Sequence, residues 1–314
     1  MSTATVFEIA LAAVVLGLAI WTIAVPDTYS ATVGFVAYGL LVALIWVRLD
    51  AVDVALTEAA IGGGLGGVML LGAAARLRGS EVATAGRCSP TVRLSAAILS
   101  ASTAAMLAFA ILLLPNPPPT LAPAAVSNAG ATGMANPVTN VLMAFRGMDT
   151  MLEKVVLLLA IVGVWSLAAD RNWGGRQGPR HEADPKGVLA FLARLLPPAG
   201  IVVGIYMLWT GADHPGGAFQ GGAVLASMWL LVIMAGLADT PPVSSPRLRL
   251  VLVAGPGLFL AVGFGGLCFG AAFLAYPVAI AKPLILGIEV AMTLTIAATL
   301  ALLLAGAPER SVEP

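Results

Sequence analysis

Apolar residues in this chain fall into runs of about 20, the length at which a helix rising 1.5 Å per residue crosses the roughly 30 Å hydrocarbon layer of a bilayer. The runs cover residues 6–25, 31–47, 54–75, 92–114, 151–169, 188–210, 218–238, 248–273 and 283–305, each bounded by Pro, Gly or charge. Helix lets such separate runs satisfy their backbone groups in lipid. The pattern therefore predicts an all-α polytopic membrane protein of about nine transmembrane helices. The first run is too long for the apolar core of a cleaved leader and lacks a basic flank, so it reads as the first of these helices.

The polar segments between the runs orient the helices. Arg76, Arg78, Arg87 and Arg93 lie around the third connection, Arg171, Arg176, Arg180, Lys186 and Arg194 around the fifth, and Arg247 and Arg249 after the seventh. With alternating helices these connections share one side, which the positive-inside rule makes cytoplasmic. The N-terminus is then outside, the C-terminus inside, and the neutral Pro-rich stretch 115–137 external. Boundaries near 79–91 and 171–186 divide the helices three, two and four, which predicts modules at 1–80, 90–172 and 186–307.

Composition narrows the function. Of 314 residues 59% are hydrophobic and 10% charged, against about a quarter charged in ordinary soluble domains, so a water-covered fold is excluded. The formal net charge of zero leaves no basic stripe for nucleic acid. Cys88 and Cys268 stand far apart and outside any C-x-x-C pair, so no iron–sulfur or zinc ligand set is present, and no cofactor or metal is expected. The absence of G-x-S-x-G, H-E-x-x-H and dinucleotide fingerprints points away from an enzyme.

Charges within the apolar runs are the candidates for chemistry, because an ionised side chain in mid-membrane costs about 2.5–3.5 kcal/mol on insertion scales unless paired, protonated or wet. Glu58 lies inside run three; it is either functional or an interfacial, helix-tying residue. Run five opens with Arg146, Asp149, Glu153 and Lys154, and its apolar part is too short to span alone. Arg146, Asp149 and Glu153 share a helical face, as a proton-passing group or as a structural ion-pair clamp, while Lys154 lies off that face and can pair with a neighbouring helix. Glu289, seven residues after Lys282, sits within run nine, as an ion-path residue or as a half-buried acid below a snorkelling lysine.

Glycines supply the remaining signal. Gly62/Gly66 and Gly63/Gly67, four apart, would bare one helix face, and the stretch lacks the Lys-Ser/Thr of a P-loop. In the string Asp213-His214-Pro215-Gly216-Gly217-Ala218-Phe219-Gln220-Gly221-Gly222, Asp213 and Pro215 can open the next helix, and Gly217/Gly221 form a small-xxx-small packing pair. His214 could exchange protons near neutral pH, although a lone loop histidine is more often solvated or hydrogen-bonded.

These strings resemble the accessory membrane subunits of Mrp-type multisubunit Na⁺/H⁺ antiporters and of membrane-bound hydrogenases, both akin to respiratory complex I. Residues 11–75, with Ala51-Val52-Asp53-Val54-Ala55-Leu56-Thr57-Glu58, look like an MbhD-type segment, with Val52 where Pro is usual. Residues 92–170 resemble an MbhE-type segment through Arg146-Gly147-Met148-Asp149-Thr150 and Glu153, and 190–305 resemble an MnhB-type segment through Pro215-Gly216-Gly217-Ala218-Phe219-Gln220-Gly221-Gly222, with Ala218 for Gly. The resemblance implies a plasma-membrane subunit of a cation/proton antiporter complex. It would contact other antiporter-like membrane subunits and the lipid bilayer, and place Asp53, Glu58, Arg146, Asp149, Glu153, Lys154 and Glu289 on the path of Na⁺ or H⁺. The alternative it leaves open is a structural scaffold in a complex I-like or hydrogenase-type redox-driven pump.

Overall fold

The computed structural model describes residues 2–84, 89–182, 184–268 and 272–311; Arg87 and Cys88, inside the boundary expected at 79–91, lie outside them. Helix α1 spans Thr3–Ala24 and α2 Thr28–Arg48. Each opens on a side-chain cap: Ser2 accepts the Thr5 N–H at 3.2 Å, and Asp27 that of Ser30 at 2.8 Å. Such caps satisfy first-turn donors that have no partner within the helix.

Run three is not one regular helix. Helix α3, Val52–Glu58, passes through a π-helical stretch, Ala59–Leu65, into α4, Gly66–Thr84. The extra residue in the turn shifts the faces, so Gly62 and Gly66 do not bare a common surface. A Cβ on Gly66 would meet its own Ile61 carbonyl at 2.9 Å, whereas Gly63 and Gly67 face Leu40 and Val36 of α2 at 2.8 and 2.7 Å. Close approach to α2 therefore involves Gly63 and Gly67 together with the Gly62 backbone, which would lie 3.3 Å from a Cβ on Gly39 of α2.

Helix α5, Pro90–Leu112, is followed by the Pro-rich stretch, which is not purely a loop because it carries α6, Ala122–Asn128. Helix α7, Pro137–Asn140, leads through a second π-helical stretch, Val141–Phe145, to α8, Gly147–Trp165. Four helices complete the chain: α9, Val188–Thr210; α10, Ala218–Met234; α11, Pro246–Cys268; and α12, Ala281–Ala305.

Among the described residues, seven helices are long and apolar enough to cross a membrane: α1, α2, the α3–α4 unit, α5, α9, α11 and α12. The other two of the nine expected are exceptions with plain causes. α10 has 17 residues, and α8 carries Asp149, Glu153 and Lys154 in its first two turns.

Helix α10 lies between α9 and α12, and α11 and α8 pack on the far side of α12. Adjacent glycines permit this: a Cβ on Gly221 would lie 2.6 Å from the Gly204 carbonyl of α9, and one on Gly222 would lie 2.7 Å from Ile296 of α12. The Thr295 hydroxyl of α12 is inserted into α11, donating to the Val251 carbonyl at 2.8 Å and accepting the Gly255 N–H at 3.0 Å. It thereby takes both ends of a helical hydrogen bond next to Pro256, where the ladder is already interrupted.

One apolar core joins Leu65, Met143 and Met151 to Phe259, Met292 and Ile296, drawing on all three parts of the chain. At the other end of the bundle β1, Arg176–Gln177, pairs antiparallel with β2, Pro308–Arg310. Helix α5 stands apart, with no buried residue.

Candidate functional site

The turn before α10 is the structural centre. Gly216 and Gly217 have φ of 150° and 125°, conformations that side-chain-bearing residues rarely adopt. Bending the chain there turns the Gly216 N–H towards α3, where Asp53 Oδ1 accepts it at 2.8 Å. Asp53 Oδ2 accepts from Asn136 Nδ2 at 3.4 Å, and the same amide donates to the carbonyls of Gly211 at 3.1 Å and His214 at 2.9 Å. Gln220, one turn into α10, donates to Thr57 Oγ1 at 3.1 Å. Asp53, Asn136 and Gln220 are all buried, and these bonds satisfy their polar groups.

The remaining polar groups of this region are also bonded. Asn140 joins the hydroxyl of Thr132 and donates to the Met134 carbonyl at 2.9 Å, while Thr139 donates to the Gly211 carbonyl at 2.6 Å. A segment from before α8 is thus sewn to the turn before α10.

Below this knot lies a cavity of about 270 Å³ lined by Thr57, Thr139, Thr150, Glu153, Lys154, Gly217, Phe219, Gln220, Glu289 and apolar neighbours. Lys154 is 3% exposed; its Nζ is 2.6 Å from Glu153 Oε1 and 4.9 Å from the centre of the Phe219 ring, which stabilises the ammonium through its π face. Glu289 is also 3% exposed, more deeply buried than the half-buried alternative allows. Its Oε1 lies beside the start of α10, 3.6 Å from where a Cβ on Gly217 would be, while Oε2 has no hydrogen-bond partner. A lysine, two carboxylates and neutral donors around one cavity form a set that can exchange a proton or coordinate a small cation.

The other acids lie elsewhere. Glu58 ends α3 and its carboxylate sits against Gly39 of α2, 3.5 Å from where a Cβ there would be. Arg146 caps α8 from outside the helix, with φ −127°, and its Nε is 2.6 Å from Asp149 Oδ2; both side chains are more than half exposed. The shared Arg146–Asp149–Glu153 face is thereby divided, because Glu153 turns to the adjacent Lys154. Asp213 does not cap α10; it pairs with Lys282 at 2.8 Å and accepts the Ala135 N–H at 3.2 Å. The Lys282 hydrogen bond, then that of Ala135, holds its carboxyl below the usual carboxylate range.

Gly217 serves the turn rather than a helix face, and Gly221 packs against α9. Thr57, Asn136 and Gln220 do not stand out in the sequence, where nothing distinguishes a neutral polar residue near an apolar run. The one available signal is the position of Gln220 inside the Gly-rich string. Among the described residues no three His, Cys, Asp or Glu side chains gather as a metal site.

Three domain families match the chain in succession. Residues 13–79 match MbhD, the D subunit of MBH; residues 91–173 match MbhE, the E subunit of MBH; and residues 188–307 match a domain related to the MnhB subunit of Na⁺/H⁺ antiporters. The B subunit of the Na⁺/H⁺ antiporter of Bacillus subtilis (strain 168) is 36% identical over 78 residues, 24% of this chain and 54% of the relative. The chain thus spans about half the length of the curated relative it matches. Among solved structures, a chain of the Mrp complex from Dietzia sp. DQ12-45-1b is similar with a TM-score of 0.72 and 22% identity, over 97% of this chain and 35% of that one. A chain of the membrane-bound sulfane sulfur reductase, an archaeal respiratory membrane complex, is similar with a TM-score of 0.53 and 24% identity, over 68% of this chain and 98% of that one. At these identities the two structures speak for the fold.

Proposed function

We propose that this chain, which belongs in its successive parts to the MbhD, MbhE and MnhB-related domain families, is a plasma-membrane subunit of a multisubunit cation/proton antiporter complex. Its partners are other antiporter-like membrane subunits and lipid, and its cargo is H⁺, Na⁺ or both. It is a transport subunit with no catalytic site of its own. All nine helices cross the membrane, with α8 and α10 completed by their polar ends, the N-terminus outside and the C-terminus in the cytoplasm. The modules divide at 1–80, 90–172 and 186–307.

The observation that carries the reading is the cavity in which Glu289 keeps an unpartnered buried oxygen beside Glu153 and Lys154. A carboxylate oxygen without a donor is costly to bury, and a proton or cation arriving at it offsets that cost. Glu153, Lys154 and Glu289 form the inner part of the ion path. Glu58, Asp149 and Arg146 lie towards its flanks, where neighbouring subunits complete it.

The test is cation/proton exchange in vesicles carrying the complete complex. Glu289→Gln is expected to abolish coupled exchange while the complex still purifies whole. Exchange at the parent level in an intact complex would sink the reading and leave the chain as a scaffold between membrane modules.

A further inference from the structure

A second pocket, of about 220 Å³, opens at the Asp213 end of the bundle and is lined by Asp50, Asp53, Asn136, Asp213, His214 and Pro215 among others. Three stretches of chain run from this pocket to the cavity around Glu289 within one turn each. Helix α3 faces the outer pocket with Asp53 and the inner cavity with Thr57; α7 faces them with Pro137 and Thr139; the turn before α10 faces them with Pro215 and Gly216. Val138 lines both.

Between the two spaces lie the hydrogen bonds of Asp53 to the Gly216 amide and to Asn136, with Gln220 bonded to Thr57 just beneath. Along α3, Asp53 and Thr57 stand about one helical turn apart, roughly 5.4 Å. We infer that Asp53, Asn136 and Gly216 form a hydrogen-bonded partition that closes the inner cavity from the outer pocket, with the Asp53 carboxylate holding it shut. The inference rests on the reading of the inner cavity as part of an ion path.

Its chemistry is economical. Gly216 presents no side chain to the gap, and a Cβ there would strike the Met207 carbonyl, so the amide alone fills the position. The carboxylate accepts from both sides, from the α10 turn and from the segment before α8, and so adds α3 to the direct bonds that already join that segment to the turn. Asp53 is in this view a positioning residue for the turn that begins α10, and not itself a station for the moving ion. Breaking its two bonds joins the pockets.

The experiment uses the complete complex in sealed vesicles, with Cys88→Ser and Cys268→Ser as background and Met292→Cys as a reporter on the inner cavity wall. A membrane-impermeant, negatively charged thiol reagent is added on the side of Asp213. With Asp53 present, labelling is expected to be slow. Asp53→Ala removes the acceptor for both bonds, and since a hydrogen bond to a charged group contributes enough for a tenfold change or more, labelling should speed up about tenfold. Asp53→Asn keeps an acceptor for the Gly216 amide but presents a donor to Asn136, and should label between the parent and Asp53→Ala rates. If Asp53→Ala prevents assembly, Asn136→Ala carries the test, with faster labelling expected. Unchanged rates in whichever variant assembles, or parent labelling already at the Asp53→Ala rate, would overturn the inference. Glu289→Gln should leave labelling slow, so a failure of the ion-path reading shows in exchange and a failure of the partition shows in labelling.

Discussion

Lys282 Nζ lies 2.8 Å from each carboxylate oxygen of Asp213, tying the start of α12 to the turn before α10. The pair is largely exposed, so its contribution is screened, but its pH dependence has a definite sign. The folded carboxyl is held below its ordinary value by Lys282 first and the Ala135 N–H second. A depressed carboxylate stabilises above its unfolded value, about 4, and that stabilisation disappears as pH falls through the folded value. Thermal unfolding of the detergent-solubilised complex, followed from pH 6 down past about 4, should show a component of acid destabilisation that Asp213→Asn removes.

Enlarging Gly221 should separate α9 from α10. A Cβ there meets the Gly204 carbonyl at 2.6 Å, and backbone cannot yield as a side chain can. Gly221→Leu is expected to cost about 1–3 kcal/mol in denaturant titration and to lower recovery of the folded protein. Gly257→Ala, on α11 with open space around it, should cost nothing by the same assay.

Thr295 answers a subtler question. Its hydroxyl serves Val251 and Gly255 together, so Thr295→Val, nearly the same shape, leaves two backbone groups beside Pro256 to find each other across a distorted turn. A loss of about 1–3 kcal/mol is expected, recovered in large part by Thr295→Ser. Equal stability of the Val and Ser variants would show that α11 closes its own hydrogen bond there.

Lys154 relies on the Phe219 ring as well as on Glu153. Replacing Phe219 by Leu keeps the apolar volume but removes the π face, which should weaken the site by about 0.5–2 kcal/mol, while Phe219→Tyr preserves it. Unfolding midpoints of the two variants compared with the parent provide the measurement.

Helix positions were legible because length and apolarity in a bilayer leave the backbone little choice. The internal departures were not: the π-helical stretches at Ala59–Leu65 and Val141–Phe145 preserve hydropathy while changing which residues share a face. The π-helical stretch turns Gly66 away from α2, which Gly62, Gly63 and Gly67 approach, and the face shared by Arg146, Asp149 and Glu153 is divided at Arg146, which lies outside the helix it precedes. The charged residues of the cavity could be picked out because charge in an apolar run is conspicuous. Asn136 and Gln220 could not, since their roles depend on a meeting with Asp53 across more than 80 residues of chain.

The pairing of Arg176 with Arg310 fastens the residues just before α9 to those just after α12. It works as a buckle: the stretch of chain that leads into the four-helix part is fastened to the stretch that leaves it. Removing Pro308–Arg310 would then be felt first at residues 176–178 and the start of α9, more than a hundred residues upstream, rather than at the tail itself.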